Sequence, residues 1–592
     1  MKPYLQDLLS QALTQACATL GKDAPAVTPV IDGTKDKSHG DFASNLAMAC
    51  AKLLGLPPRK LAELLVANLP ASERVAKVEI AGPGFINFFL TGDAVTAVIP
   101  EILKAGESWG QDHSGSKGRV MVEFVSANPT GPMHVGHGRG AAYGDTLANL
   151  FAATGYAVHR EYYINDAGRQ VDVLTMSVWL RYLEAGGATF AFPRRGYPAD
   201  YIKRTAEALR AAHGSMFEHP IAKVFDGLGS EPQVPEGADD KTKDSIKLAQ
   251  EKYADGLIER ARHLLGAHYA TVTEAALADQ LATIRATLAS FNVRFDQWYS
   301  EASLVDSGFA RTAIERLEQK GFVYEKDGAQ WLKTTDFGDE KDRVLFKADG
   351  AATYFANDLA YHVDKLDRDY PLLIDVWGAD HHGYIVRVRA AIEMLTGHND
   401  ALEVALMQFV TLSSGKMGKR SGNFVTLQDL IDEVGPDSTR FFYLSRSHDA
   451  HLEFDIDLAR SQSNDNPVFY VQYAHARICS VFKQLAEKGG THDMALGLAS
   501  LGRLETDEEK TLLTALARYP ELLRVAAANR TPHTLAFYVQ ELAAALHGLY
   551  NQHKFLVDDA ALQAARLTLI RATQLVLRGA LGLLGVTPKD SM

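Results

Sequence analysis

Residues 119–140, RVMVEFVSANPTGPMHVGHGRG, decide the fold. The first six form an apolar, β-rich run, a turn through Asn128-Pro129 and Gly131-Pro132 follows, and His134-Val135-Gly136-His137 opens a helical pattern. A strand that feeds a helix through such a turn is the first half of a βαβ unit. The helix N-terminus would offer unpaired N–H groups and a positive dipole end to phosphates. His134 and His137 add donors there, and Gly136 has no side chain to hold a nucleotide away from the backbone.

Outward from this stretch, a crossover helix (141–155) and a second strand (156–163) continue a parallel sheet. Residues 165 to about 290 are mostly helical and interrupt it; within them 219–245, rich in proline, glycine and acid, reads as a mobile surface loop. The run Leu372-Leu373-Ile374-Asp375-Val376-Trp377-Gly378 reads as a late buried strand whose carboxyl end faces a ligand. Toward the N-terminus, helical patterns at 3–20, 42–54 and 59–69 and two short strands around Gly82-Pro83-Gly84 form a small α+β unit, joined by a linker at 110–118. Beyond 460 nearly everything is helical, ending at 560–584. The expected architecture is multidomain α/β. Residues 1–112 form the α+β domain, 113–460 a Rossmann-type parallel-sheet core with a helical insertion at about 165–290, and 461–592 an all-α bundle.

The 592 residues exceed what one core serves, and 46% hydrophobic with 23% charged residues is ordinary for a soluble globular chain. A net charge of −12 gives no general attraction to polyanions, although a local basic surface suffices for phosphate contacts. Cys17, Cys50 and Cys479 are too few and too scattered for a disulfide framework or a metal site. A reducing, cytoplasmic setting is expected, with no zinc or other protein-bound metal. The N-terminal 21 residues are interrupted by acidic and glutamine side chains, so they read as an amphipathic helix and no membrane association is expected.

Far downstream, Lys416-Met417-Gly418-Lys419-Arg420 places three cations between Ser413-Ser414-Gly415 and Ser421-Gly422. Either motif alone is matched by capping histidines or by a solvated charged loop. Together, in this order, they point to joint action on phosphates.

The pair resembles HIGH and KMSKR, the two signatures of class I aminoacyl-tRNA synthetases, with Gly418 in place of the usual serine. Residues 123–132 (EFVSANPTGP) resemble the segment before HIGH in arginyl-tRNA synthetases, and 466–477 (NPVFYVQYAHAR) the opening of that family's anticodon-binding domain. Residues 40–45 (GDFASN) and 82–87 (GPGFIN) resemble its appended N-terminal domain. The resemblance implies an arginine-tRNA ligase. Its partners would be L-arginine, tRNA(Arg) and ATP with Mg²⁺, with no DNA, and it would act as a monomer and activate arginine only with tRNA present.

Carried over, His134, His137, Lys416 and Lys419 are the expected catalytic groups, and Gly136, Met417 and Arg420 complete the ATP site. In-line attack on the α-phosphate asks mainly for orientation and charge neutralisation. For arginine, Tyr354 and Asp358 are four residues apart, so on a helix a phenol and a carboxylate share one face and can meet a guanidinium together. The family adds Glu301 as a second acid, Asn128 to orient the α-amino or carboxylate end, and Glu123 as a further acidic member. One of Asp380, His381 and His382 stands where some members carry a glutamine; His381 is taken as the candidate. For tRNA, Tyr470, Tyr473 and Arg477 combine stacking with charge. Phe85 and Asn87 match positions associated with a D-loop adenosine, the alternative for Phe85 being a place in the small domain's core. A cysteinyl enzyme would need zinc-binding cysteines that are absent. A non-catalytic paralogue would not need both signatures intact. A fragment cut after about residue 460 is expected to keep the nucleotide site and lose tRNA binding.

Overall fold

The computed structural model describes residues 1–34, 37–413 and 425–592. Five parallel strands, β1 (Arg119–Glu123), β2 (Ala157–Ile164), β3 (Gln297–Ser300), β4 (Leu372–Gly378) and β5 (Leu402–Met407), pair in the order 5-4-1-2-3. The order reverses between β1 and β4, so the crevice beyond their carboxyl ends is the place where such sheets bind ligands. Val120, Val122, Leu373 and Ile374 are essentially fully buried, as expected for strands covered on both faces. Helix α1 (Val135–Ala152) leaves the loop after β1, and α2 (Tyr354–Asp367) precedes β4. A Cβ on Gly144 would lie 2.3 Å from the Phe124 ring, so α1 reaches the end of β1 only because that position is bare.

The insertion between β2 and β3 is helical, as expected. Its helices Arg169–Ala185, Asp200–His213, Asp240–Leu265 and His268–Ser290 enclose their own core around Trp179, Tyr182 and Phe217. The stretch 219–245 is less irregular than its composition predicts. It contains the short helix Ile221–Val224 and the start of Asp240–Leu265, which Asp239 caps through the Thr242 N–H at 2.8 Å. A three-stranded antiparallel sheet (Val323–Lys326, Ala329–Leu332, Arg343–Phe346) was not anticipated. Its signal was present: Asp327-Gly328, with φ of 53° and 75°, is the two-residue turn that joins such hairpins.

In the N-terminal domain the expected hairpin, Val75–Ala81 against Phe85–Leu90, is extended by Phe42–Ser44 and Ile31–Gly33. Residues 42–44 were read as helix. They are strand because Phe42 pairs with Phe88 and Ser44 with Ile86, and the helix begins only at Leu46. Next along the chain, Val98, Ile99 and Ile102 join the buried cluster that also holds α1 and the C-terminal helix.

The C-terminal helices Pro467–Glu487, Asp507–Ala528, Pro532–Gln552 and Ala560–Leu584 form the bundle. Ala560–Leu584 is long and apolar enough to cross a membrane by length and composition, and here it is mostly buried inside the bundle. Leu577 and Leu581 share a core with Leu147 and Phe151 of α1. Asn149 donates to the Leu583 carbonyl at 3.1 Å, and the fully buried Arg440 joins the Leu584 carbonyl to Asp145. These contacts speak against a fragment that separates cleanly near residue 460. A chain ending near residue 460 would expose the apolar side of α1 and strip Arg440 and Asn149 of the Leu584 and Leu583 carbonyls, so we expect it to be insoluble when expressed beside the full chain.

Candidate active site

The histidine pair sits where β1 delivers it. His134 is the N-cap of α1, and its Nδ1 accepts from the Gly136 N–H at 3.1 Å. His137 Nδ1 accepts from the His134 N–H at 3.2 Å, and the two rings stack with centroids 3.6 Å apart. With both Nδ1 atoms accepting, each neutral ring carries its proton on Nε2, free to donate outward. Burial pushes the His137 pKa down to about 3, assisted by His134, and burial also lowers His134. These are neutral donors at the positive end of a helix, suited to an anion. Gly136 has a reason that sequence did not show: a Cβ there would lie 2.9 Å from Cε1 of His134. Lys416, Met417, Lys419 and Arg420 lie outside the described residues. After them, Thr426 bridges to His134 and the Leu427 N–H reaches the Met133 carbonyl at 2.8 Å.

The expected amino-acid pocket assembles around the carboxyl ends of β2, β3 and β4. Glu301 opens the helix Glu301–Asp306 directly after β3 and is 5% exposed. Asp166 fixes that corner, accepting from Ser300 Oγ at 2.7 Å and the Ala302 N–H at 2.8 Å. Burial, then the Asp358 carboxylate, push the Glu301 pKa up to about 7, against the pull of Asn357. Asp358, on the first turns of α2, is raised by burial, against the Tyr384 hydroxyl that donates to its Oδ2 and the imidazoles of His362 and His381. Among the described residues no Lys or Arg forms an ion pair with Glu301 or Asp358. The buried Tyr163 hydroxyl lies beside them, where it helps hold the Glu301 charge.

Tyr354 is exposed, and its hydroxyl comes within 3.8 Å of where a side chain on Gly168 would begin. Asn128 Oδ1 accepts from Asn165 at 3.1 Å, on the loop that continues to Asp166. His381, exposed in the turn Ala379–Tyr384 after β4, lies 3.8 Å from the Asp380 carboxylate. Two neighbouring buried acids that form no ion pair with Lys or Arg among the described residues suit a fixed cation.

Comparison with known proteins narrows this geometry. Three family models match: "Arginyl tRNA synthetase N terminal domain" over residues 4–90, "tRNA synthetases class I (R), catalytic domain" over 98–186 and 266–444, and "DALR anticodon binding domain" over 471–592. The chain is 50% identical over 599 residues to an arginine-tRNA ligase of Thioalkalivibrio sulfidiphilus and 49% identical over 601 residues to one of Hydrogenovibrio crunogenus, covering 100% of each chain. It belongs to the arginyl-tRNA synthetases. The fold is that of the Thermus thermophilus arginyl-tRNA synthetase, at TM-score 0.72 and 24% identity, covering 99% of this chain and 100% of that one.

Within this synthetase frame two expected residues stand differently from the sequence reading. Glu123, expected to face arginine, is 6% exposed and is held by Lys365 Nζ at 2.5 Å and Ser126 Oγ at 2.8 Å. Its counter-ion is internal, because β1 points its last side chain at α2. Asn87, expected to meet RNA, is 4% exposed within the strand Phe85–Leu90, whereas Phe85 at the strand's start is 40% exposed and so lies outside the core. Tyr163, His362, Lys365 and Tyr384 were missed by sequence reasoning, since no local motif marks them.

Tyr470, Tyr473 and Arg477 come together on the helix Pro467–Glu487. The Arg477 guanidinium lies over Tyr473 and over Tyr550, 4.5 Å from each ring, and donates to His547 at 3.0 Å and Asn551 at 3.2 Å. Tyr470 packs on His547 at 4.5 Å. His475, Cys479 and Asp590 lie within 4.8 Å of one another, the spacing of metal ligands. They do not suit a metal. His475 Nδ1 faces the Lys589 carbonyl at 2.8 Å, and its Nε2 accepts from the Arg578 guanidinium at 3.1 Å, which also brings a positive charge to the spot.

Proposed function

We propose a division of labour among these residues in the arginine-tRNA ligase reaction, in which arginine and ATP give arginyl-adenylate and pyrophosphate and tRNA(Arg) then takes the arginyl group. The observation that supports it is the pair Glu301 and Asp358, with no Lys or Arg ion-paired to either among the described residues, at the switch point of a sheet whose neighbouring helix presents two neutral imidazoles. Glu301, Asp358 and Tyr354 receive the guanidinium, Asn128 orients the α-amino or carboxylate end, and His381 stands at the rim. His134 and His137 donate from Nε2 to ATP phosphates, and Lys416, Lys419 and Arg420 neutralise charge that grows as pyrophosphate leaves. Mg²⁺ accompanies ATP. The protein acts as a cytoplasmic monomer, with Phe85 at the tRNA D-loop and Tyr470, Tyr473 and Arg477 at the anticodon. Pyrophosphate exchange with each of the twenty amino acids, with and without tRNA, tests the assignment. Exchange with arginine alone is expected, and only with tRNA present; a robust signal with cysteine, glutamine or glutamate would sink it.

The state of Glu301 makes arginine binding pH-dependent. A carboxyl lifted from 4.5 to about 7 is protonated in the free enzyme below pH 7. Folding then loses stability as pH rises from 4.5 through 7, since the unfolded chain gives up that proton first. Arginine binds the ionised form, so its KM should fall by up to about tenfold per pH unit below 7 and level off above. Glu301→Gln should abolish that slope. A wild-type KM that is flat from pH 5.5 to 8 would refute the role of Glu301.

Arg477 is tested through RNA. Arg477→Ala removes one cation and unstacks Tyr473 from Tyr550, so tRNA affinity should drop by about tenfold and the slope of log affinity against log salt should shrink by about 0.7. An unchanged slope would place the anticodon elsewhere.

A further inference from the structure

Beneath the proposed pocket lies a buried charged set that the division of labour leaves without a task. Glu123 on β1 and Asp375 on β4 are register partners across the switch point and are 6% and 1% exposed. Two carboxylates at one level of a dry sheet repel. Lys365, fully buried, lies between them, with Nζ 2.5 Å from Glu123 and 2.8 Å from Asp375. It stands on α2, two turns beyond Asp358. His362 of the same helix faces the Asp358 carbonyl at 2.7 Å with one ring nitrogen and Asp375 at 2.9 Å with the other.

The grip extends to the other end of the pocket. Glu123 Oε1 accepts from Ser126 Oγ, which itself accepts from the Tyr163 N–H at 3.1 Å. Val125 and Ser126 have φ of 70° and 41°. Consecutive left-handed residues without glycine, one of them β-branched, persist only where the surroundings over-determine them. Asn128 follows two residues later.

We propose that Lys365 is a positioning residue for arginine: by tying α2 to β1 and β4 at once, it sets the span between the Asp358 end of the pocket and the Asn128 end. The proposal rests on the reading of Asp358, Glu301 and Asn128 as the arginine pocket. Lys365 touches no substrate and acts through Glu123, Ser126 and His362.

The test is aminoacylation by full-length Lys365→Met at saturating ATP and tRNA. The arginine KM should rise by at least about tenfold, while the KM for ATP changes by less than about twofold. Because breaking a buried pair also destabilises, Lys365→Met/Asp375→Asn, which restores the net charge of the set, is measured alongside. Its Tm should recover toward wild type, and its arginine KM should stay high, since it cannot bridge the strands. Wild-type arginine KM in the single variant, recovery of KM together with Tm in the double, or no recovery of Tm at all would each overturn the proposal. Asp358→Asn separates the two readings. An unchanged arginine KM there removes the pocket itself, whereas a raised KM there with none at Lys365 removes only the positioning role.

Discussion

Asp358→Asn is expected to lower kcat/KM for arginine by about 30-fold to several thousandfold, the cost of roughly 2 to 5 kcal/mol for breaking a desolvated charge pair. Asp358 receives the Tyr384 hydroxyl on Oδ2, which in the proposed pocket would leave Oδ1 for the guanidinium. An amide at this position either turns its NH₂ toward the guanidinium, donor against donor, or turns it toward Tyr384, whose hydroxyl must then accept instead of donate. Both outcomes would remove one of the two carboxylates proposed to face the cation. ATP binding should change little, because the histidine pair stands on a different helix. Citrulline, nearly isosteric and uncharged, should gain relative to arginine. Steady-state aminoacylation with both amino acids measures this. A wild-type kcat/KM for arginine would mean that Glu301 alone recognises the guanidinium.

His137→Ala should lower kcat by roughly 10² to 10³ with little change in the arginine KM, because charge on the α-phosphate and the departing pyrophosphate grows only as the bond breaks. The loss has two parts. One donor at Nε2 disappears, and the Nδ1 that accepts the His134 N–H goes with it, so the cap of α1 loosens. Because the pKa of His137 is held near 3, kcat should show no titration of this residue between pH 6 and 8. Single-turnover adenylate formation with tRNA present reads the effect on chemistry directly. A full rate would move the phosphate site away from α1.

Whatever depends on neighbours in the chain was legible in sequence. The strand, turn and His134-Val135-Gly136-His137 sequence gave β1 and α1, because a strand period, a Gly/Pro turn and a cap are local features. The four-residue spacing of Tyr354 and Asp358 put both on the opening of α2, and the 3.6 periodicity of the last helix matched Ala560–Leu584. Tertiary structure alone decided what those side chains meet. Phe42–Ser44 became strand through pairing with Phe85–Leu90, and the apolar face of Ala560–Leu584 turned out to be shared with α1, which packs the bundle against the catalytic domain. Glu123 shows the same division. Its sequence context marks it as an acid near the site, but only the register of β1 against β4 and the reach of Lys365 from α2 reveal that its charge is already answered from within. Partners of buried charge lie up to 295 residues apart here, and no local period carries information over that distance.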